Sequence, residues 1–215
     1  MTGVQTCALP IFYDSLVDAL AGLLDGPRAR GAFLLRSSLD PPWSLRVQDQ
    51  AALSLVAVVR GEAWILPDDG AVVRLGPRDV AVVRGPEPYV VADRPETPPQ
   101  VVIQPGQRCT TIDGAAPMQM SELGIRTWGN STDGATLLLT GTYENASEVS
   151  RRLLQSLPRL VHLRTTEWES PLVGLLAAEI VRDEPGQHAV LDRLLDLLLI
   201  SVLRAWFARS ASDTP

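Results

Sequence analysis

Chemistry at a protein site needs clustered side chains that titrate, ligate or attack, and this chain is poor in them. It has two histidines, His162 and His188, and two cysteines, Cys7 and Cys109, in 215 residues. A metal held by imidazole asks for a paired His-x-His and a third ligand close by. Neither histidine has that company, and both fall in stretches that read as helical, away from the strands. Each is therefore expected as a surface or partly buried helix residue, with no metal site and no cofactor. Cys109 as a nucleophile would need a base, and no histidine is near it in sequence; an inert thiol is the expectation, and the chain is read as a non-enzyme. What remains is recognition by stacking and hydrogen bonding. Trp43, Arg46, Trp64 and Tyr89 fall on strand-like segments and could line a small-molecule pocket. The competing reading has the tryptophans filling the interior, Arg46 solvated and Tyr89 capping a strand end. Arg60 and Glu62 read as an exposed turn pair, and Trp128 and Trp168 as structural.

The elements that must position these side chains are short strands. Between residues 53 and 93, apolar or alternating runs (53–59, 63–66, 72–75, 80–83 and 89–91) are cut by Gly, Pro and Asp, as in half of a small β-barrel. The clearest turn is Pro67-Asp68-Asp69-Gly70, where Asp-Gly would supply the positive φ of a tight hairpin. Further strand material lies at 32–36, 43–47, 100–103, 126–128 and 135–141, with 107–123 as a long loop. Strands at this spacing, broken by Pro and Gly, suit a jelly-roll barrel.

Helical patterns flank the strands. Leu16, Ala19, Leu20, Leu23 and Leu24 share one face of a short helix that stops at Asp25-Gly26-Pro27. After residue 143 the period changes: one helix is expected over 148–156, a second opens at Ser170-Pro171 and runs to 182, and a third spans 187–209. In the third, Asp192, Arg193, Asp196 and Arg204 form a narrow polar stripe, and apolar residues cover the rest of the circumference. One barrel face cannot bury so much. The charges interrupt the run too often for a membrane span, so a second copy of the same helix is the simplest partner, with Leu191, Leu194, Leu195, Leu198 and Val202 as the dimerisation residues.

Bulk composition narrows the classes. A chain of this length with 46% hydrophobic residues can bury a sizeable core. Its formal net charge of −6 repels a phosphate backbone on average, so this chain alone is not expected to bind DNA. All 19 basic residues are arginine, a usage that matches a GC-rich genome and predicts no partner. Residues 1–11, MTGVQTCALPI, match no periodicity in the rest and lack the basic and apolar regions of a targeting signal; they look like a translated sequencing adapter. Cys109 is then the one native thiol, no internal disulfide is possible, and a reducing cytoplasm is the natural compartment. The sequons at Asn130 and Asn145 carry no weight there.

The order and spacing of several short segments support a resemblance. These are Leu24-Asp25-Gly26-Pro27-Arg28-Ala29-Arg30-Gly31, Pro41-Pro42-Trp43-Ser44-Leu45-Arg46, Val59-Arg60-Gly61-Glu62-Ala63-Trp64, the run 76–93, Pro105-Gly106-Gln107-Arg108-Cys109, Gly141-Thr142-Tyr143, Leu157-Pro158 and Leu203-Arg204-Ala205-Trp206. From residue 18 on, the chain resembles the N-terminal cupin-type effector and dimerisation region of AraC-type transcriptional regulators. The resemblance implies an α+β, mainly β fold: a cupin-like double-stranded β-helix over 12–145, then helices over 146–210 for packing and dimerisation. It also implies a DNA-binding helix-turn-helix region beyond the last residues, through which alone the protein would meet DNA. In the degenerate motif formed by Gly76-Pro77-Arg78-Asp79 and Pro86-Glu87-Pro88-Tyr89, Tyr89 stands where metal-dependent cupins carry a ligating His. The expected function is the regulatory half of a transcription factor, sensing a small-molecule effector in the barrel and forming a homodimer. The alternatives are a stand-alone cupin enzyme or a small-molecule binding protein with no link to DNA.

Overall fold

The computed structural model describes residues 33–112, 120–144 and 149–212. The segment 1–11 and the amphipathic helix expected before Asp25 lie outside the described residues. In chain order the strands are β1 (Phe33–Leu39), β2 (Ser44–Val47), β3 (Leu53–Arg60), β4 (Ala63–Pro67), β5 (Val73–Leu75), β6 (Val80–Arg84), β7 (Tyr89–Ala92), β8 (Val101–Gln104), β9 (Arg108–Thr111), β10 (Ser121–Gly124), β11 (Thr127–Gly129) and β12 (Thr136–Tyr143). Then follow α1 (Arg151–Ser156), β13 (Leu160–Leu163), α2 (Leu172–Glu179) and α3 (Gln187–Ser212).

The strands assort into two sheets. One has the order β10-β11-β1-β12-β3-β6-β13, the other β5-β4-β7-β2-β8-β9. The chain crosses from one sheet to the other after β1, β2, β3, β5, β6 and β9, which makes the two layers a jelly-roll sandwich. Pairing is antiparallel except at β1 with β11 and β2 with β8.

Two cores explain the apolar pattern. Between the sheets, Val56 and Val58 of β3, Ala81 and Val83 of β6 and Leu138 of β12 meet Leu45, Val47, Ile65, Tyr89 and Val91 from the opposite sheet. On the far side of the first sheet, Leu53, Leu55 and Ala57 of β3 with Val80 and Val82 of β6 meet the helices. The central strands are thus buried on both faces. That is why 53–59 and 80–83 are continuous apolar runs and not alternating ones.

The helices lie against the first sheet, α2 contributing Leu172, Val173 and Leu176 and α3 the longest row of side chains. Leu191, Leu195, Leu198, Leu199, Val202 and Leu203 are buried in the core they form with β3, β6 and β12. Its expected polar stripe does not all face solvent: Asp196 is buried, and its Oδ1 accepts a hydrogen bond from the Tyr143 hydroxyl of β12 at 3.2 Å. Gly141 of β12 marks a close approach of helix to sheet, since a Cβ there would run into the Leu195 isopropyl group. A larger residue there would force the Leu195 side chain aside or lift the helix from the sheet.

Several expectations need correction. The segment after residue 143 is not wholly helical: Leu160–Leu163 forms β13 and extends the first sheet against β6, Leu160 opposite Val83. Four residues between helical patterns offered too little alternation to show it. The long loop expected over 107–123 contains β9 and β10, whose side chains are mostly exposed and polar, so no apolar signal marked them. The hairpin after Pro67 forms, but neither Asp69 nor Gly70 takes a positive φ and the strands are joined by a wider loop. The first two helices are shorter than expected, starting at Arg151 and ending at Glu179, and the last runs on to Ser212. Ser170 Oγ still accepts from the Leu172 N–H at 3.3 Å, one position off a standard N-cap.

Candidate functional site

The two sheets part at one end. There β1 and β11 of the first sheet face β8 and β9 of the second, and a narrow slot enters between the layers. The slot holds about 40 Å³ and is walled by Leu45, Val56, Val91, Leu138 and Thr140. Toward solvent it widens into a mouth of about 290 Å³ whose walls carry Phe33, Leu35, Ile103, Gln107, Arg126 and Trp128. Phe33, Leu35, Ile103, Gln107 and Trp128 border both spaces, so slot and mouth form one pocket with an apolar throat. The slot alone admits a few waters; slot and mouth together approach the size of small-ligand sites.

Polar groups line one side of the slot. Tyr89 is buried there, and burial, helped by the nearby Asp49 carboxylate, pushes its phenol far above the ordinary value, against a hydrogen bond with Ser54. Tyr89 is therefore a neutral hydroxyl at any working pH. Asp49 accepts from the Ala51 N–H at 3.1 Å and from the Gln107 amide at 3.4 Å. Thr140 and Thr142 of β12 add hydroxyls on the facing wall. Such a pocket can orient a small molecule by hydrogen bonds to these groups and by apolar contact with Leu45, Val56, Val91 and Leu138. Among the described residues no three of His, Cys, Asp or Glu gather to hold a metal ion.

The four expected ligand-binding residues are not brought together. Tyr89 lines the slot. Trp43 is fully buried in the same inter-sheet core but is not on the cavity wall, and its indole N–H finds no hydrogen-bond partner among the described residues. Arg46 and Trp64 sit on the outer face of the second sheet: Leu45 and Val47 point inward on β2, and Ala63 and Ile65 on β4, so the residues between them point out. Arg46 is held there by Asp68, with hydrogen bonds of 3.1 and 2.6 Å that raise the guanidinium pKa and lower that of the carboxyl. Arg60 and Glu62 are not partners of one another: Arg60 pairs with Asp133 and Glu62 with Arg74. Trp128, read as structural, turns out to wall the pocket. Its strand is three residues long, too short for parity to be legible.

The histidines also move. His162 belongs to β13, not to a helix, and its Nε2 lies 3.7 Å from Asp79 Oδ2 beside a barrel strand. Asp79 is itself satisfied, accepting from the N–H groups of Gly76 at 2.9 Å and Thr165 at 2.8 Å. This is the structural work of the Gly76-Pro77-Arg78-Asp79 turn: it ties β6 to the chain after β13. Burial holds the His162 pKa below its ordinary value despite the pull of Asp79. His188 lies at the start of α3 next to Arg126. Cys109 is exposed at the rim of the mouth, and partial desolvation raises its thiol pKa, the opposite of what a nucleophile needs.

The dimerisation residues are mostly spoken for. Leu191, Leu195, Leu198 and Val202 are at most 3% exposed within their own chain, and Leu194 is partly buried. Among the described residues, the large apolar side chains that α3 leaves exposed are Val190 and Leu197. Among the described residues no helix is long and apolar enough to cross a membrane.

The Cupin_6 family model, described as Cupin, matches residues 18–208. The chain belongs to this cupin family, the one associated with AraC-type regulators. Among solved structures, this cupin is similar to an apo point variant of ToxT from Vibrio cholerae strain SCE256, at 7% identity and a TM-score of 0.47, over 84% of this chain and 58% of that one. It is also similar to a second ToxT structure from Vibrio cholerae, at 7% identity and a TM-score of 0.40, over 81% of this chain and 56% of that one. The cupin thus spans less than two thirds of either. No curated protein matches it.

Proposed function

We propose that this cupin is the regulatory domain of an AraC-type transcriptional regulator and that the pocket between β1, β8 and β11 is its effector site. The observation that carries the reading is the pocket itself: an apolar interior of Leu45, Val56, Val91 and Leu138 beside the hydrogen-bonding groups of Tyr89, Asp49, Thr140 and Thr142, with no histidine or cysteine among the residues that line the slot. Such a lining suits reversible binding better than bond-making chemistry. Family membership supports the regulatory role, and contact with DNA is assigned to a further domain of the full protein.

A thermal-shift screen of small amphipathic molecules tests the site. A true effector at a hundredfold excess over its Kd stabilises the fold by about 2.7 kcal/mol. Thr140→Phe, which fills the slot, and Trp128→Ala, which removes a wall, should both abolish the shift. A stabilising ligand indifferent to both changes binds elsewhere, and the reading fails.

Self-association is part of the same proposal, with its contacts moved. Val190, Leu194 and Leu197 share one helical face at i, i+4 and i+7, and a second copy would pack there instead of on Leu195 or Leu198. Sedimentation should show a dimer at tens of micromolar that Leu197→Glu converts to a folded monomer. A wild-type chain that sediments as a monomer at that concentration removes the dimer from the proposal.

A further inference from the structure

One side chain links the pocket to the helices. Arg126 occupies the turn between β10 and β11 with φ of 46°, and the turn is pinned to β1 because the Arg126 carbonyl accepts from the Arg36 N–H at 2.8 Å. The Arg126 side chain lines the mouth, yet its guanidinium continues outward to the first residues of α3. It donates to Gln187 Oε1 at 2.6 Å and lies 3.3 Å from His188 Nε2. Gln187 is 3% exposed, and its amide nitrogen donates to the carbonyl of Glu179, the last residue of α2, at 2.6 Å. Pocket wall, start of α3 and end of α2 therefore share one chain of three groups: a guanidinium, a primary amide and a backbone carbonyl.

Its chemistry makes this chain exchangeable. Guanidinium carries donors only, and its Gln187 acceptor is a neutral amide. An acceptor on a bound molecule, above all a charged one, is at least as good a partner. We infer that Arg126 is the positioning residue that couples pocket occupancy to the helices: a ligand with an apolar body in the throat and an acceptor group at its outer end draws the guanidinium from Gln187 and loosens the first turn of α3. This rests on the pocket being the effector site. It adds the ligand's required acceptor and the direction of the response.

A tethered surrogate tests both without knowing the effector. In a Cys7→Ser background Cys109 is the single thiol, and it borders the mouth. Monobromobimane, an apolar bicycle bearing two carbonyl acceptors, can be attached there. Quenching of bimane fluorescence that is lost in Trp128→Phe reports that the label sits in the throat. Hydrogen exchange at the amides of residues 189–194 then reports the start of α3. Labelling should speed that exchange about fivefold, the loss of roughly one net hydrogen bond. In Arg126→Gln exchange should already be fast, with no further change on labelling. If that variant does not fold, Gln187→Ala breaks the chain from its other end and must show the same loss of response. An unquenched label defeats the pocket reading and the coupling with it. A quenched label with unchanged exchange defeats the coupling alone. A label-induced change that survives Arg126→Gln also overturns it, because a merely structural Arg126 would shift both states equally.

Discussion

Gly141 and Leu195 meet at a close seam between the sheet and the last helix, and replacing both separates packing from every other role of that helix. A Cβ built on Gly141 would lie 2.9 Å from Leu195 Cδ2 and closer still to Cδ1, where apolar carbons prefer about 3.5–4.0 Å. Gly141→Ala must therefore move the leucine or lift the helix, which costs about 1–3 kcal/mol as overpacking. Leu195→Ala removes a side chain only 1% exposed and should cost about 2–5 kcal/mol, part of it for the cavity left behind. In the double variant the new methyl group occupies the space the leucine vacated. The two costs should then fall short of additive by about 1–2 kcal/mol. Urea unfolding followed by tryptophan fluorescence, at two protein concentrations, supplies the midpoints and slopes for the cycle. Additivity within about 0.5 kcal/mol would mean that the two residues do not touch in solution and that α3 is not seated as described. Single-variant losses that vanish on tenfold dilution would mean that Leu195 packs against a second copy instead.

Three further outcomes follow from the geometry. Because burial lowers the His162 pKa, the unfolded chain binds that proton more readily, so the contribution of neutral His162 is whole above a pH of roughly 6.5 and is lost as pH falls toward the folded value; urea midpoints at a few pH values should fall less steeply with acid in His162→Gln than in the wild type, and a steeper fall would mean that the Asp79 attraction outweighs burial. Arg159, largely buried, donates to the carbonyls of Glu87 and Pro88 and pairs with Asp69, so Arg159→Ala should lower stability by about 2 kcal/mol, whereas Arg60→Ala, at a half-exposed side chain that pairs with Asp133 and donates to the Gly134 carbonyl, should change it by only about 1 kcal/mol. Since no cluster of metal ligands occurs among the described residues, chelation with EDTA should leave the melting temperature unchanged, and a drop of several degrees, with near-stoichiometric Fe, Mn, Ni or Zn in the untreated protein, would refute this.

What the sequence by itself determined follows from local rules. Runs such as 53–59 and 80–83 are short, apolar and rich in Val, and Pro, Gly and Asp cut them at jelly-roll spacing, so they read as strands; that both of their faces are buried came from the packing of helices on one side and the second sheet on the other. The breadth of apolar surface on the last helix showed that it must be covered, and the order of several motifs pointed to the cupin family. Tertiary structure alone decided what covers the helix and which side chains face the pocket. One chain carries no information on whether Leu195 meets its own sheet or another copy. Here Gly141, distant in sequence, opens the notch that admits it. Strand parity flips with a single residue of register, so Arg46 and Trp64 fell outside while Tyr89 and Trp128 fell inside. The strands β9 and β10 pair with their chain neighbours β8 and β11 and were hidden by their exposed, polar side chains, whereas β13 exists because β6, about eighty residues earlier, offers unpaired backbone groups, a cause that no window of sequence contains. The Arg126–Gln187–Glu179 chain is of the same kind: it joins a turn, a helix start and a helix end that meet only in the folded molecule.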